Sequence, residues 1–437
     1  MTAYTHEPEI AVGLLENISQ AAFELTDTFR LSEKEMEPGR YSVRIIKERI
    51  LISGQDEESV SATVFLLEPV VFDKASFIIN AVRIGIDFHW EQNRSQEFRG
   101  SLVIKKTGPE TFTLINRIPL EQYLETVICS EMSPQSPVEF LKAHCIISRS
   151  WLLAQLEKKK TTFTQEACAS WTDARKHIDF DVCADDHCQR YHGIGAVNLA
   201  AQKALRETRG KVLLANGKIC DTRFSKCCGG ITEKFSACWE DTDFDYLVPV
   251  SDDSKNRPAI PFAAEAAVQT FIESDPAVFC NVKDKTLLTK ILPDFDAETE
   301  NFFRWQVSCS QTVLQQTLFK KIGEDLGNIV EMVPLLRGAS GRITKLKIIG
   351  DKKEIVIGKE LAIRKALSTT HLYSSAFIVI PYGDNRHLPD GFILKGAGWG
   401  HGVGLCQIGA AAMAEKGYDC QTILYHYFKN TAIKKIY

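Results

Sequence analysis

Ile118-Pro-Leu-Glu-Gln-Tyr-Leu-Glu-Thr-Val-Ile-Cys-Ser-Glu-Met132 is where the pattern of this 437-residue chain changes. Leu120, Tyr123, Leu124, Val127 and Ile128 recur at helical spacing, so the stretch predicts an amphipathic helix. Pro134 and Pro137 break it. Ser136-Pro137-Val138-Glu139 then has the form of a capping box with proline at the first helical position. It opens a second helix that should run to about Lys158, with Val138, Leu141, Cys145 and Leu152 on one face. Upstream, from Glu7 to about Leu114, β-branched and aromatic residues alternate with polar ones between Gly, Asn and Asp punctuation, which predicts antiparallel strands. Downstream, Asn198–Arg209 and Gln311–Gly323 read as helices, and Lys211–Phe235, Arg342–Gly350 and Ala376–Ile380 as strands. A glycine-rich loop, Gly396–Gly404, runs into a final alanine-rich helix.

The expected fold class is therefore mixed α+β. Residues 1–115 form a β-rich N-terminal part, and 116–251 a core with helices, further strands and a polar Cys/His loop at 160–195. Residues 252–335 read as an insertion or subdomain, and 336–437 as the C-terminal part of the core. The net charge of −4 and pI near 6.2 leave no basic field to recruit nucleic acid. No stretch is apolar and long enough to predict a transmembrane segment. The N-terminus carries no basic, apolar and small-residue signal pattern. The expected location is the cytoplasm, with export to the cell envelope as the alternative if a leader has been removed. Thirteen cysteines, an odd number with several inside apolar patterns, favour reduced thiols and a metal site over a disulfide framework.

Glu131 is the sharpest single candidate for chemistry. It falls on the apolar face of its helix, where desolvation disfavours the charged carboxylate and raises its pKa, as a general acid requires. The alternative is an end-of-helix carboxylate paired with Arg149 or Lys142. His177, Cys183, His187 and Cys188 supply two imidazoles and two thiolates, a sound tetrahedral zinc set. Against it, adjacent His187 and Cys188 is an uncommon finger spacing, and Asp179, Asp181, Asp185 and Asp186 compete as ligands. In Gly398-Trp-Gly-His-Gly-Val-Gly404, glycine at every second position suits close ligand approach or a tight turn. His401 there, and Gln407 on the following helix, could hydrogen-bond sugar hydroxyls. Ser225-Lys-Cys-Cys-Gly-Gly-Ile-Thr232 is a small-residue turn whose hydroxyls either face a cleft or cap the turn.

Together these pieces resemble the SpoIID/LytB family. The match runs from Ile118-Pro-Leu-Glu-Gln-Tyr-Leu through Glu131-Met132, Ser148-Arg149-Ser150, Cys188-Gln189-x-Tyr191-x-Gly193 and Phe224-Ser225. It continues through Gly229-Gly230-x-Thr232-Glu233 and Ser340-Gly341-Arg342 to the Gly398–Ala410 stretch. The resemblance implies a glycan cleft and peptidoglycan lytic transglycosylase activity, in which Glu131 is the single acid/base and 1,6-anhydro-muramyl ends are the product. It implies substrate contacts from Arg149, Tyr191, Ser225, Thr232, His401 and Gln407. It also implies structural zinc on His177, Cys183, His187 and Cys188, with no organic cofactor. The implied partners are glycan strands or muropeptide fragments and a cell-wall amidase. The alternative the family carries is a non-catalytic, glycan-binding amidase enhancer. A weaker third reading is zinc hydrolysis with Glu131 as base. Where the family usually has Ala-Gln-Ala, this chain has Ala143-His144-Cys145, and Cys406 stands where methionine is frequent.

Overall fold

The computed structural model describes residues 4–437 apart from 55–57, 62, 86–90, 163–176, 186, 256–258, 260–261, 263, 297–300 and 386, and without the side chains of 160–162 and 295. Part of the polar loop expected at 160–195, including Cys168 and Asp186, lies outside these residues.

The N-terminal part is built of strands, as its alternation predicts. One seven-stranded sheet has Glu9–Ile18 paired antiparallel with Phe112–Pro119, which pairs in turn with Ser101–Lys106. A six-stranded sheet with Gln20–Leu25 and Gly39–Ile46 at its centre packs with it around Phe23, Phe77 and Phe98, all essentially inaccessible. Helix α1 (Leu120–Glu131) follows directly from the last strand. Its buried face holds the predicted Leu120, Tyr123, Leu124, Val127 and Ile128.

Helix α2 (Val138–Thr162) runs a turn longer than predicted and packs against α1 and α3 (Leu199–Thr208). The contacts at its start differ from a capping box. Ser136 Oγ donates to the Ile291 carbonyl at 3.5 Å, while Glu139 takes Lys142 Nζ and the backbone N–H of Cys420. Asn198 caps α3 by accepting from the Ala201 N–H at 3.0 Å.

Two short helices, α4 (Glu265–Glu273) and α5 (Lys285–Ile291), occupy the stretch with weak patterning. Residues 304–397 then form a subdomain with its own apolar core around Ile329, Ile343, Leu346, Phe377 and Phe392. It contains α6 (Gln311–Ile322), ended by Gly323 in a left-handed conformation, and α7 (Glu360–Ala366). Strand Arg304–Ser310 pairs with Gly391–Ala397, and Ile329–Arg337 pairs with Ile343–Gly350. A boundary at 335/336 would therefore cut a strand. The hairpin register sets this unit's limits, and no composition shift in the sequence marks them.

Helices α8 (Gln407–Glu415) and α9 (Cys420–Tyr427) return the chain to α2. The last strand, Ala432–Lys435, then pairs with Lys211–Ala215. No helix among the described residues is long and apolar enough to cross a membrane.

Candidate functional site

Glu131 ends α1 with 8% of its surface exposed. Its Oε1 accepts the Arg190 backbone N–H at 3.0 Å, and its Oε2 faces Gln407 Nε2 at 3.4 Å. The two cations that could have paired it are committed elsewhere. Arg149 binds Glu121 through two hydrogen bonds of 2.9 and 2.6 Å, and Lys142 binds Glu139 and Glu207.

Beyond Gln407 lies His144, with Nε2 3.0 Å from Gln407 Nε2, and beyond that Ser148 Oγ, 3.1 Å from His144 Nδ1. Burial first, then the nearby Lys226 charge, pulls His144 down to about 3, so its ring is neutral. Each link of this chain is reversible. A hydroxyl rotates, a neutral imidazole changes tautomer and an amide exchanges its oxygen and nitrogen. Run one way, Gln407 donates to an ionised Glu131. Run the other way, it accepts from a protonated one. An acid/base carboxyl needs both.

The backbone of the Glu131 helix end is held as well. Lys226 Nζ donates to the Glu131 carbonyl at 2.9 Å and pairs with Asp296 at 2.7 Å, and Arg190 reaches the same carboxylate at 3.1 Å. Burial alone would raise Asp296, but Lys226 and Arg190 hold it below its ordinary value. Ile291 accepts the Ser133 N–H at 3.0 Å, so the stretch from α5 to Asp296 covers the helix end that carries Glu131.

The buried His144 has a consequence for stability. Its folded-state value lies below the ordinary 6.5, so below pH 6.5 the unfolded chain takes up a proton that the folded chain refuses. Stability is thus complete above pH 6.5 and falls as pH drops toward 3, by about 1.4 kcal/mol per pH unit for such a group. His192, pulled to about 3 by burial first and then by Arg190, adds in the same direction. Urea unfolding between about pH 7.5 and 5.5 should show this slope, and His144→Gln should reduce it. An unchanged slope would remove His144 as its source.

The glycine loop is fastened by groups far apart in sequence. Gly398, Gly400, Gly402 and Gly404 have φ between +73° and +87°. Arg342, fully buried, donates to the Gly400 carbonyl through Nε and Nη2 (3.2 and 2.9 Å) and to the Cys228 carbonyl. Glu233 donates its N–H to the Gly402 carbonyl, and its carboxylate accepts from the N–H groups of Ala339 and Ser340 and from the Ser340 hydroxyl. A Cβ on Gly402 would lie 2.4 Å from Arg342 Cζ. Gly402→Ala should therefore cost about 1–3 kcal/mol from the left-handed backbone alone. Displacement of Arg342 adds to that, and the total is readable as a fall in unfolding midpoint.

His401 is partly exposed, 4.8 Å from Trp239 in edge contact. Burial, then Arg223, Arg342 and Arg364, holds it well below 6.5. Its Nδ1 accepts the Val403 N–H at 2.9 Å, which places the ring proton on Nε2, where the Phe224 backbone is its partner. Ser225 Oγ accepts the Gly402 N–H at 3.2 Å.

Three other expected substrate contacts, Arg149, Tyr191 and Thr232, lie in the interior with partners of their own. Arg149 is completely buried and donates to Glu121 and to the Lys211 carbonyl. Tyr191 is stacked between Phe98 and Tyr123, with its hydroxyl on Asn116 at 2.6 Å. Thr232 Oγ1 accepts the Val250 N–H at 2.8 Å. All three hold the scaffold. Conversely, the sequence reading missed His144, Lys226 and Asp296 as neighbours of Glu131. The first was visible only as a departure at Ala143-His144-Cys145, the second lay inside a quoted turn, and the third had no signal.

His177, Cys183, His187 and Cys188 do come together, with one ligand atom from each within 4.8 Å of the others. Cys188 Sγ lies 3.5 Å from both His177 Nε2 and His187 Nδ1, and Cys183 Sγ is 3.8 Å from His187 Nδ1. Val182–Cys183 adds as a parallel strand to Glu9–Ile18, so a sheet edge carries one thiol. Three competing aspartates are used elsewhere: Asp179 by Lys105, Asp181 by the Ala11 N–H and Asp185 by the Gly85 N–H. Four N/S donors at this spacing fit a zinc ion, and a closed set of four has no open position for catalysis. Cys188 is two residues from Arg190, whose N–H meets Glu131.

A family model described as stage II sporulation protein (SpoIID) matches residues 109–214, and one for a domain of unknown function matches 233–404. An uncharacterized protein of Brachyspira hyodysenteriae is 24% identical over 86% of this chain and 85% of its own length. The amidase enhancer of Bacillus subtilis is 21% identical over 99% of this chain, which spans 60% of that protein. The stage II sporulation protein D of Bacillus amyloliquefaciens is 21% identical over 74% of this chain and 76% of its own length.

Proposed function

From the premise that this chain belongs to the SpoIID/LytB family, we propose that it is a peptidoglycan lytic transglycosylase with Glu131 as its single acid/base. The observation that carries this reading is the Glu131 carboxyl itself. At a buried helix end its Oε1 accepts the Arg190 N–H, and its Oε2 meets a reversible Gln407–His144–Ser148 chain.

Protonated Glu131 would give its proton to the oxygen linking N-acetylmuramic acid to N-acetylglucosamine, and that C–O bond breaks. The muramyl 6-hydroxyl then bonds to the anomeric carbon and returns its proton to Glu131. The products are a 1,6-anhydro end and a free 4-hydroxyl, and no water is consumed. One carboxyl suffices because the substrate's own hydroxyl replaces the second group of ordinary glycosidases. Gln407 would position Glu131, while the loop around Gly400 and His401 would hold the glycan. Zinc on His177, Cys183, His187 and Cys188 would be structural. No step of the reaction needs it.

A second reading has a specific observation in its favour. Glu131 is only 8% exposed, and Arg190 and Lys226, which meet it through backbone N–H and Nζ, are both tied to Asp296. That arrangement suits a glycan-binding module that activates a cell-wall amidase, in keeping with the relative named amidase enhancer.

Incubation with peptide-free glycan strands and mass spectrometry of the products separates the two. Anhydro-muramyl ends from the wild type, absent with Glu131→Gln, support the enzyme. Strands bound and uncut by both proteins would replace it with the binding module.

A further inference from the structure

A second cluster of ligating side chains lies beneath the glycine loop, apart from the His177 set. Cys228, Asp252, Cys280 and Cys406 each present one ligand atom within 4.8 Å of the others, and none of the four is more than 2% exposed. They come from three distant stretches: the turn after Phe224–Ser225, the Asp252–Cys280 segment, and the end of the Leu405–Cys406 strand that caps α8.

The geometry is that of a tetrahedral metal site. Zinc–thiolate bonds of about 2.3 Å place two sulfurs of a tetrahedron about 3.8 Å apart, and Cys228 Sγ and Cys280 Sγ are 3.6 Å apart. That separation is far beyond a disulfide bond of about 2.05 Å. Asp252 is oriented by the Cys280 N–H at 2.9 Å and the Tyr427 hydroxyl at 2.7 Å, with His426 Nε2 3.6 Å away, as metal-binding carboxylates are oriented by surrounding donors. Gly409 leaves the room for it, since a Cβ there would lie 2.6 Å from Asp252 Oδ2.

A buried thiol alone packs as a small hydrophobe. Three converging on a carboxylate with no solvent exposure do not fit that description, because an apolar pocket penalises the carboxylate. We propose that Cys228, Cys280, Cys406 and Asp252 bind one thiophilic divalent cation, zinc by the chemistry of its donors. Binding releases the thiol protons to solvent and leaves thiolates on the ion. The ion ties three segments together directly behind Gln407, the residue after Cys406, and so helps hold the amide that faces Glu131. The site stands independently of the transglycosylase reading.

The test is native mass spectrometry of the full chain, reduced and loaded with zinc alone, together with zinc-edge X-ray absorption. Cys280→Ser should lose one metal equivalent and unfold at lower temperature. Cys188→Ser should lose a different equivalent, and the control Cys309→Ala should lose none. Zinc remaining in Cys188→Ser should have a sulfur-dominated shell of about three sulfurs. Folded Cys280→Ser with the wild-type metal content overturns the site, as does a Cys228–Cys280 disulfide peptide in digests. Should Cys280→Ser fail to fold, the wild-type spectrum decides. An average above two sulfurs per zinc supports the site, and a shell of two sulfurs and two nitrogens at one equivalent overturns it.

Discussion

Glu131→Gln should lower the rate of anhydro-muramyl end formation by about 10²–10⁴-fold, the usual loss when a general acid or base is removed. Strand binding should change little. The substitution is close to isosteric. Its carbonyl can keep the Arg190 N–H, and its amide nitrogen then faces Gln407. Two donors would oppose each other there if Gln407 were fixed. Reversal of the Gln407 amide and of the His144 tautomer turns the group facing residue 131 into an acceptor, which removes the donor–donor clash. The variant should therefore fold with near wild-type stability, and lost turnover would report chemistry rather than collapse. Product mass spectrometry beside a urea unfolding curve reads both. Undiminished cleavage by a folded Glu131→Gln protein would remove Glu131 from the mechanism.

Arg149→Met should destabilise the fold by about 3–5 kcal/mol, because it strands a buried carboxylate. Glu121 is 4% exposed and shares its oxygens among Arg149, the Gly210 N–H and the Tyr437 hydroxyl. These contacts join α1, α2, the start of the Lys211 strand and the C-terminus. Removing both charges in Glu121→Met/Arg149→Met should recover a large share of the loss, since two apolar side chains of similar volume replace a desolvated pair. Recovery should stay partial, because the buried Gly210 N–H loses its acceptor. Urea unfolding of the two single variants and the double variant measures the coupling. A loss under about 1 kcal/mol for Arg149→Met would mean that water reaches Glu121.

Metal-binding, acid-sensitivity and loop predictions probe the same framework from other sides. His144 reaches Glu131 through Gln407, the thiol cluster includes Cys406, next to Gln407 in sequence, and Gly402 is pressed against the Arg342 that fastens the glycine loop.

What the sequence determined by itself was local. The 3.6-residue period of Leu120 to Ile128 placed a helix and put Glu131 on its buried face, because side-chain direction along a helix depends only on spacing. The donor types and short spacing of His177, Cys183, His187 and Cys188 likewise marked them as a set, although the pairing of Val182–Cys183 with Glu9–Ile18 also positions one thiol. Motif matches reported that a residue type belongs at a position, but not which way it faces. Arg149, Tyr191 and Thr232 thus turned inward, while Ser225 and His401 stayed at the glycine loop. Tertiary structure decided the remainder. Gln407 meets Glu131 across 276 residues, Asp296 reaches Lys226 and Arg190 from a stretch without pattern, and Cys228, Cys280 and Cys406 converge from three segments. Such contacts leave no periodic trace along the chain. They exist only once separate apolar faces have packed and brought distant polar groups to the same buried place.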